Sequence, residues 1–431
     1  MYRKITAFLE AWKKNQYRKP LVLQGARQVG KTYSVLEFGR INYENVAYFN
    51  FETNPKLNRT FEENISPDYL IPILSHISGQ TIVKEKTLII FDEVQLCERA
   101  LTSLKYFCED APDYHIIVAG SLLGVAVNRA KFSFPVGKVD MKTMYPMDME
   151  EFMIAMGEEK LAAQVRQCFE TNTAMPSALH DAAMQLYRQY LVVGGMPECV
   201  LQFAQTKDYI LIRNTQDTIL ASYLNDMSKY NNLNEIKKTR LAYDNITVQL
   251  SKKNTRFQYK LIKKGGRASE FENAIEWLCL SGIVSQVYRI EQIKKPLENY
   301  RDIDAFKIYV SDLGLLCAKK DLSANDILYM VEELNDFKGG MAENYVNVQL
   351  SINGYRTYYW ESARGAEIDF VIQRNGQLIP IEVKSADNTR AKSLKVYMET
   401  YNPEYAIKLS AKNFAFEDNK KTVPLYAAFC I

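Results

Sequence analysis

Short apolar runs separated by longer amphipathic stretches mark the first 155 residues. LVL lies before Gly25, VAYFNF spans 46–51, TLIIF spans 87–91 and HIIVA spans 115–119. Strands alternating with helical periods predict an α/β unit around a mostly parallel sheet. Ligands of such sheets sit at the carboxyl ends of the strands. From about 156 to 330 the pattern is mainly helical, with QLYRQYLVV and NTQDTILASYLNDMSKY as long amphipathic segments and GGMPECV as a turn and restart. Beyond 331 come a helix (GGMAENYVNVQLSI), a strand (RTYYW), a hairpin (EIDFVIQRNGQLIPIEVK), a helix (RAKSLKVYMET) and two late strands, which predict a small α+β domain. Three domains are therefore expected, 1–155, 156–330 and 331–431, as suits a chain of 431 residues.

Composition narrows the class without changing that outline. With 47% hydrophobic and 24% charged residues the chain has apolar material for several cores. The opening MYRKITAFLEAWKKN is interrupted by charge and reads as an amphipathic helix rather than a signal peptide, and no stretch approaches the roughly 18 apolar residues of a membrane span. No membrane partner is expected. Seven scattered cysteines without a CxxC pair and only three histidines argue against a zinc site or disulfide framework, and a cytoplasmic location is expected.

Charge is uneven. Between Lys229 and Arg267 eleven Lys and Arg face only Glu235 and Asp244, an excess of nine in a chain of net +3, which leaves the remainder at −6. This stretch reads as helix, helix, a turn at Gly265-Gly266, an amphipathic helix and a strand, the order of a winged helix. Lys252, Lys253, Lys260, Lys263, Lys264 and Arg267 are the candidates for contacting the phosphates of double-stranded DNA. A solvated helical face is the alternative reading of the same charges.

The most specific chemistry lies early. Gly25-Ala26-Arg27-Gln28-Val29-Gly30-Lys31-Thr32 fits GxxxxGK[ST], between the strand PLVLQ and the helix-compatible YSVLEFG. The glycines let backbone N–H groups wrap phosphates, and the following helix N-terminus favours their charge. Lys31 is expected to reach the β and γ phosphates of ATP, and Thr32 to hold Mg²⁺. The strand TLIIF ends in Asp92 and Glu93, an expected Mg²⁺ ligand and the carboxylate that polarises the attacking water. Ser121, after HIIVA and Gly120, is a candidate γ-phosphate sensor, with a plain turn as the alternative. An arginine finger could be Arg129 or come from another subunit of a homo-oligomer.

A second constellation closes the chain. Asn375-Gly376 favours a two-residue type I′ turn, which makes residues face each other when their numbers sum to 751. Asp369 then lies opposite Glu382 and Glu367 opposite Lys384, all on one face. Opposed carboxylates with Cβ atoms about 5 Å apart repel unless neutralised, and a divalent metal would do so. The pattern matches that of PD-(D/E)xK nucleases, with Asp369, Glu382 and Lys384 as catalytic candidates and Glu343 as a further metal ligand beside Asp369 and Glu382. A salt-bridged surface is the alternative.

Together, GARQVGKT, IIFDEVQ, VAGSLLG, FPVGKVDMKTMYPMDMEEF, YLVVGGMPECV, KIYVSDLGLLC and residues 337–384 resemble a family of bacterial and archaeal AAA-type ATPases whose C-terminal domain has no assigned role. The resemblance covers nearly the whole chain. It implies ATP hydrolysis carried by Gly25, Gly30, Lys31, Thr32, Asp92 and Glu93, a winged-helix-like middle and a restriction-endonuclease-like last domain. It departs at Lys138, where the family often has arginine, so a nucleotide-sensing role there is in doubt. Three readings follow: an ATPase acting on or regulated by DNA, a nucleotide-switched protein-interaction module with an idle nuclease-like domain, and an ATP-licensed Mg²⁺-dependent endonuclease.

Overall fold

The computed structural model describes residues 1–121, 134–229, 233–252, 256–385 and 392–431, so Arg129 and Lys253 lie outside the described residues. The chain divides into two compact units, Tyr2–Tyr145 with Leu280–Gly282, and Pro146–Cys279 with Ile283–Ile431. Among the described residues no helix is long and apolar enough to cross a membrane.

In the first unit β1 (Leu21–Gln24), β2 (Asn45–Asn50), β3 (Thr87–Asp92), β4 (His115–Ala119) and β5 (Asp140–Thr143) form an all-parallel sheet in the order β2-β3-β4-β1-β5. Every residue of β3 and β4 is buried, as parallel strands covered on both faces require. Val22, Ile89, Phe91 and Ile116 pack with Leu70 and Leu74 of the helix Pro67–Ser78 and with Leu101, Leu104 and Phe107 of the helix Glu98–Asp110. Phe91 meets the rings of Phe49, Phe51 and Phe61 at 5.5–5.9 Å, in edge-on contacts of about 0.5–1.5 kcal/mol each. That cluster anchors the strand one residue before Asp92. Because β4 lies between β1 and β3, the ends of these three strands bring the phosphate loop, Ser121 and Asp92 to one edge of the sheet.

The second unit is built on an eight-stranded mixed sheet in the order β12-β13-β11-β10-β9-β8-β6-β7. Its strands are β6 (Val284–Ile290), β7 (Arg301–Val310), β8 (Tyr358–Glu361), β9 (Glu367–Arg374), β10 (Gln377–Val383), β11 (Ala406–Ser410), β12 (Ala415–Glu417) and β13 (Lys420–Pro424). The hairpin β9–β10 has the expected register, from Gln377 opposite Arg374 to Ile381 opposite Phe370, with Asn375 and Gly376 both at positive φ. Three late strands appear instead of two, because Asp418 and Asn419 at positive φ fold the three-residue β12 back on β13. β6, expected as a strand after a helix-turn-helix, pairs antiparallel with β7 and parallel with β8, so one sheet runs across residue 331.

The middle segment differs from its helical pattern at one place. Leu233–Leu250 and Ala268–Leu280 are helices, but among the described residues between them the helical turn that forms is a single 3₁₀ turn, Tyr259–Leu261. Phe257 donates its N–H to Phe306 at 2.8 Å and stacks its ring on the Phe306 ring at 5.5 Å. Pairing with β7 and burying two aromatic rings outweigh the local helical period.

The motifs GGMPE and SDLGL meet in a backbone lock. Asp312 caps the helix Leu313–Lys319 by accepting the Leu315 N–H at 2.9 Å and also accepts the Gly195 N–H at 2.7 Å. Burial pushes Asp312 up to about 6, against these backbone donors. A Cβ on Gly195 would stand 2.1 Å from the Met147 carbonyl oxygen, which only glycine permits.

Candidate functional site

The phosphate loop is shaped by residues that leave ordinary φ/ψ space. Gly25, Gln28 and Gly30 have φ of 144°, 64° and 89°, and Gly30 stands immediately before the helix Lys31–Asn42. A Cβ on Gly25 would lie 2.1 Å from the Met144 carbonyl oxygen, so close packing of the loop against the residue after β5 demands glycine. Ala26, Arg27, Gln28 and Val29 complete the turn, and the buried Arg3 guanidinium donates to the Val29 carbonyl at 3.0 Å and the Tyr145 carbonyl at 2.8 Å. Arg3 carries no motif, and its bracing role was not legible in the sequence.

Lys31 is buried and its ammonium donates to the Gly25 and Ala26 carbonyls at 2.8 and 2.7 Å. Burial lowers it to about 8, while Glu93 and Asp92 pull the other way. Thr32 Oγ1 donates to Asp92 Oδ2 at 2.9 Å, and the Tyr48 hydroxyl donates to the same oxygen at 2.8 Å. A hydroxyl and a carboxylate oxygen already in contact form an oxygen donor pair that fits Mg²⁺. Tyr48, from the neighbouring β2, is a second residue the motif pattern did not reveal. Glu93 sits at φ 50°, a left-handed conformation costly for a non-glycine residue. Its carboxylate accepts from Gln95 Nε2 and, in a long contact of 3.5 Å, from Ser121 Oγ.

The second constellation is wholly within the sheet of the second unit. Glu343, on the helix Asn335–Ile352, accepts from the Tyr309 hydroxyl at 2.9 Å and from Lys307 at 3.3 Å. Lys307 also pairs with Glu367 at 2.5 Å, and Lys384 with Glu382 at 2.5 Å. Asp369 Oδ2 accepts the Val383 N–H at 2.7 Å, while Glu382 Oε2 is buried with no hydrogen-bond partner among the described residues. Burial, then Glu343 and Glu382, hold Asp369 well above the carboxylate range. Burial also raises Glu382, against Lys384. Lys307 lies well above the ordinary lysine value: burial alone would depress it, and Glu343, Tyr309 and Glu367 more than reverse that.

Sequence pattern therefore placed Asp369, Glu382 and Lys384 in one neighbourhood but missed Lys307, which arrives on β7. Among the described residues no three His, Cys, Asp or Glu side chains converge closely enough to hold a metal ion. The expected triple of Glu343, Asp369 and Glu382 is thus not assembled as three ligands, because Lys307 and Tyr309 engage Glu343. Asp369 and Glu382 remain, and magnesium sites often use only one or two carboxylates with water and phosphate supplying the rest. Of the basic candidates, Lys263 pairs with Glu270 at 3.1 Å, while Lys252, Lys260, Lys264 and Arg267 are exposed.

Comparison with known proteins follows the two units closely. Residues 184–326 and 338–428 match two families, each described as a domain of unknown function. No curated protein matches the chain. Among solved structures, the Walker-type ATPase PABY2304 of Pyrococcus abyssi is similar at 14% identity, covering 73% of this chain and 94% of its own, with a TM-score of 0.44. The ORC2 protein of Aeropyrum pernix, in ADPNP and ADP complexes, is 11% identical over 79% of this chain and 95% of its own, with a TM-score of 0.37. The RuvB Holliday junction branch migration motor of Thermotoga maritima is 13% identical over 65% and 87%, with a TM-score of 0.30. Residues 17–153 match the family described as an AAA domain, and with the parallel sheet and phosphate loop they form an AAA-type P-loop domain.

Proposed function

We propose that the first unit binds and hydrolyses ATP, and that its nucleotide state governs a DNA-facing activity of the rest of the chain. The observation that carries this reading is the contact between Thr32 and Asp92 at 2.9 Å beside the buried Lys31. The backbone from Gly25 to Thr32 cradles the phosphates, and Lys31 exchanges the Gly25 and Ala26 carbonyls for β and γ phosphate oxygens. Thr32 and Asp92 would hold Mg²⁺, which neutralises charge developing on the phosphates. Glu93, held by Gln95 and near Ser121, orients water for in-line attack on the γ-phosphate. ATP hydrolysis measured with and without double-stranded DNA tests the reading. Stimulation supports the DNA-coupled form, and turnover indifferent to DNA favours the nucleotide-switched protein-interaction module.

A second reading, an ATP-licensed Mg²⁺-dependent endonuclease, rests on the carboxylate cluster. Glu343 and Glu367 pair with Lys307 and Glu382 with Lys384, Asp369 is buried beside them, and Glu382 Oε2 has no hydrogen-bond partner among the described residues. Asp369 and Glu382 would hold the metal, and Lys384 would support the nucleophilic water or the phosphate. Mg²⁺-dependent DNA cleavage by the wild type, lost in Asp369→Ala and Lys384→Ala, would support it. Equal background in all three chains would sink it.

A further inference from the structure

The departure of residues 256–261 from helix creates a cavity that the basic run alone does not suggest. It has a volume of about 590 Å³, within the ~300–1,000 Å³ range of small-molecule sites. Arg256, Lys260 and Arg267 line it, together with the half-buried Tyr259, the buried Phe257 and Asp304. Two chain features produce this convergence. Arg256 bridges to Lys307 of β7, which holds the backbone extended, and the Phe257 ring, stacked on Phe306, meets the Tyr259 ring edge-on at 5.3 Å. Gly266, where a Cβ would meet the Tyr259 carbonyl oxygen at 2.7 Å, then lets the chain turn tightly enough to bring Arg267 opposite. The helix Ala268–Leu280 begins at the rim, and its N-terminal end favours an anion.

We infer that this cavity binds a nucleotide through its phosphate, with the base against the Tyr259 ring. The exposed Lys260 ammonium and Arg267 guanidinium match phosphate oxygens, the half-buried Tyr259 ring suits any base, and Asp304 supplies an acceptor for a sugar hydroxyl or a base amine. A pocket of this size seats one nucleotide unit rather than a run of backbone. The unit is either a free mononucleotide or the 5′-phosphorylated end of a strand. The strand-end form rests on the DNA-facing reading above, and the free-nucleotide form does not.

The full chain, in EDTA to silence Mg²⁺-dependent binding, is titrated into single-stranded oligonucleotides carrying fluorescein at the 3′ end and either a 5′-phosphate or a 5′-hydroxyl. AMP binding is measured in parallel, and all measurements are repeated with Lys260→Ala/Arg267→Ala. Both residues are exposed, and an unchanged thermal unfolding profile of the double variant serves as its folding control. A preference of about tenfold or more for the 5′-phosphate, abolished in the double variant, supports the inference with a strand end as ligand. AMP binding lost in the variant, with neither oligonucleotide bound, supports it with the free nucleotide as ligand and removes the strand-end form. Equal affinity for both ends, with AMP binding absent or unchanged in the variant, overturns the inference and leaves DNA association standing. No binding of any probe overturns the inference, while the double-stranded DNA reading is decided by the ATPase assay above.

Discussion

The phosphate loop and the carboxylate cluster are both buried and charged, yet the first sets Lys31 on neutral carbonyls with Asp92 and Glu93 near it, while the second crowds carboxylates together. In the first, the ammonium of Lys31 rests on two neutral carbonyls, and burial has lowered it to about 8. An anion is what would complete it. In the second, Lys307 pairs with Glu343 and Glu367 and Lys384 with Glu382, Asp369 is held well above its usual range, and Glu382 Oε2 has no hydrogen-bond partner among the described residues. A proton or a cation is what would complete it. Each site therefore identifies its missing partner by the charge it buries.

The largest expected effect breaks the first site without emptying it. Glu93→Gln keeps the hydrogen bond to Gln95 but removes the carboxylate, so ATP turnover should fall by about 10²–10⁴ while ATP binding is retained. Phosphate release and nucleotide binding measured on the same preparation check both halves. Next in size, Gly195→Ala forces a methyl against the Met147 carbonyl and should lower the stability of the second unit by about 3 kcal/mol, measured by thermal unfolding. ATP binding by the first unit should be unaffected by it.

A smaller effect sharpens the second site. Asp369 and Glu382 have folded values raised above their unfolded ones, and Asp312 lies at about 6. Stability they contribute is complete below about pH 4 and is lost as pH rises through the folded values, so the metal-free protein should stabilise as pH falls from 7 toward 5. Asp369→Asn should make that rise in stability on acidification shallower, and Mg²⁺ at pH 7.5 should raise the melting temperature of wild type but not of the variant. The smallest effect belongs to Lys31. Binding phosphate favours the ammonium, so ATP affinity should weaken above about pH 8, approaching tenfold per pH unit, with proton uptake detected by calorimetry in buffers of different ionisation enthalpy.

What could be read from sequence follows how local each determinant is. The phosphate loop was legible because eight consecutive residues form it, and the strand ending in Asp92 and Glu93 because an apolar run announces itself. The hairpin was legible to the residue, since Asn375-Gly376 dictates a turn and the turn dictates the register of Asp369 and Glu382. Lys307 was not, because only the pairing of β6 with β7 and β8 carries it to Glu343 and Glu367, and parallel pairing across some seventy residues leaves no local trace. Arg3 and Tyr48 escaped for the same reason: each reaches the phosphate site through strand order or a long side chain. The missing helix around Phe257 had a helical pattern, and only the distant Phe306 reveals why it stays extended.

Equilibrium binding of ATP to wild type and Lys31→Ala, with Mg²⁺ and with EDTA, tests the central claim most directly. The account predicts tight Mg²⁺-dependent binding in wild type that weakens by about 100-fold or more in the variant, as expected for loss of a buried charged partner of phosphate. Mg²⁺-dependent ATP binding of equal strength in both chains would contradict it.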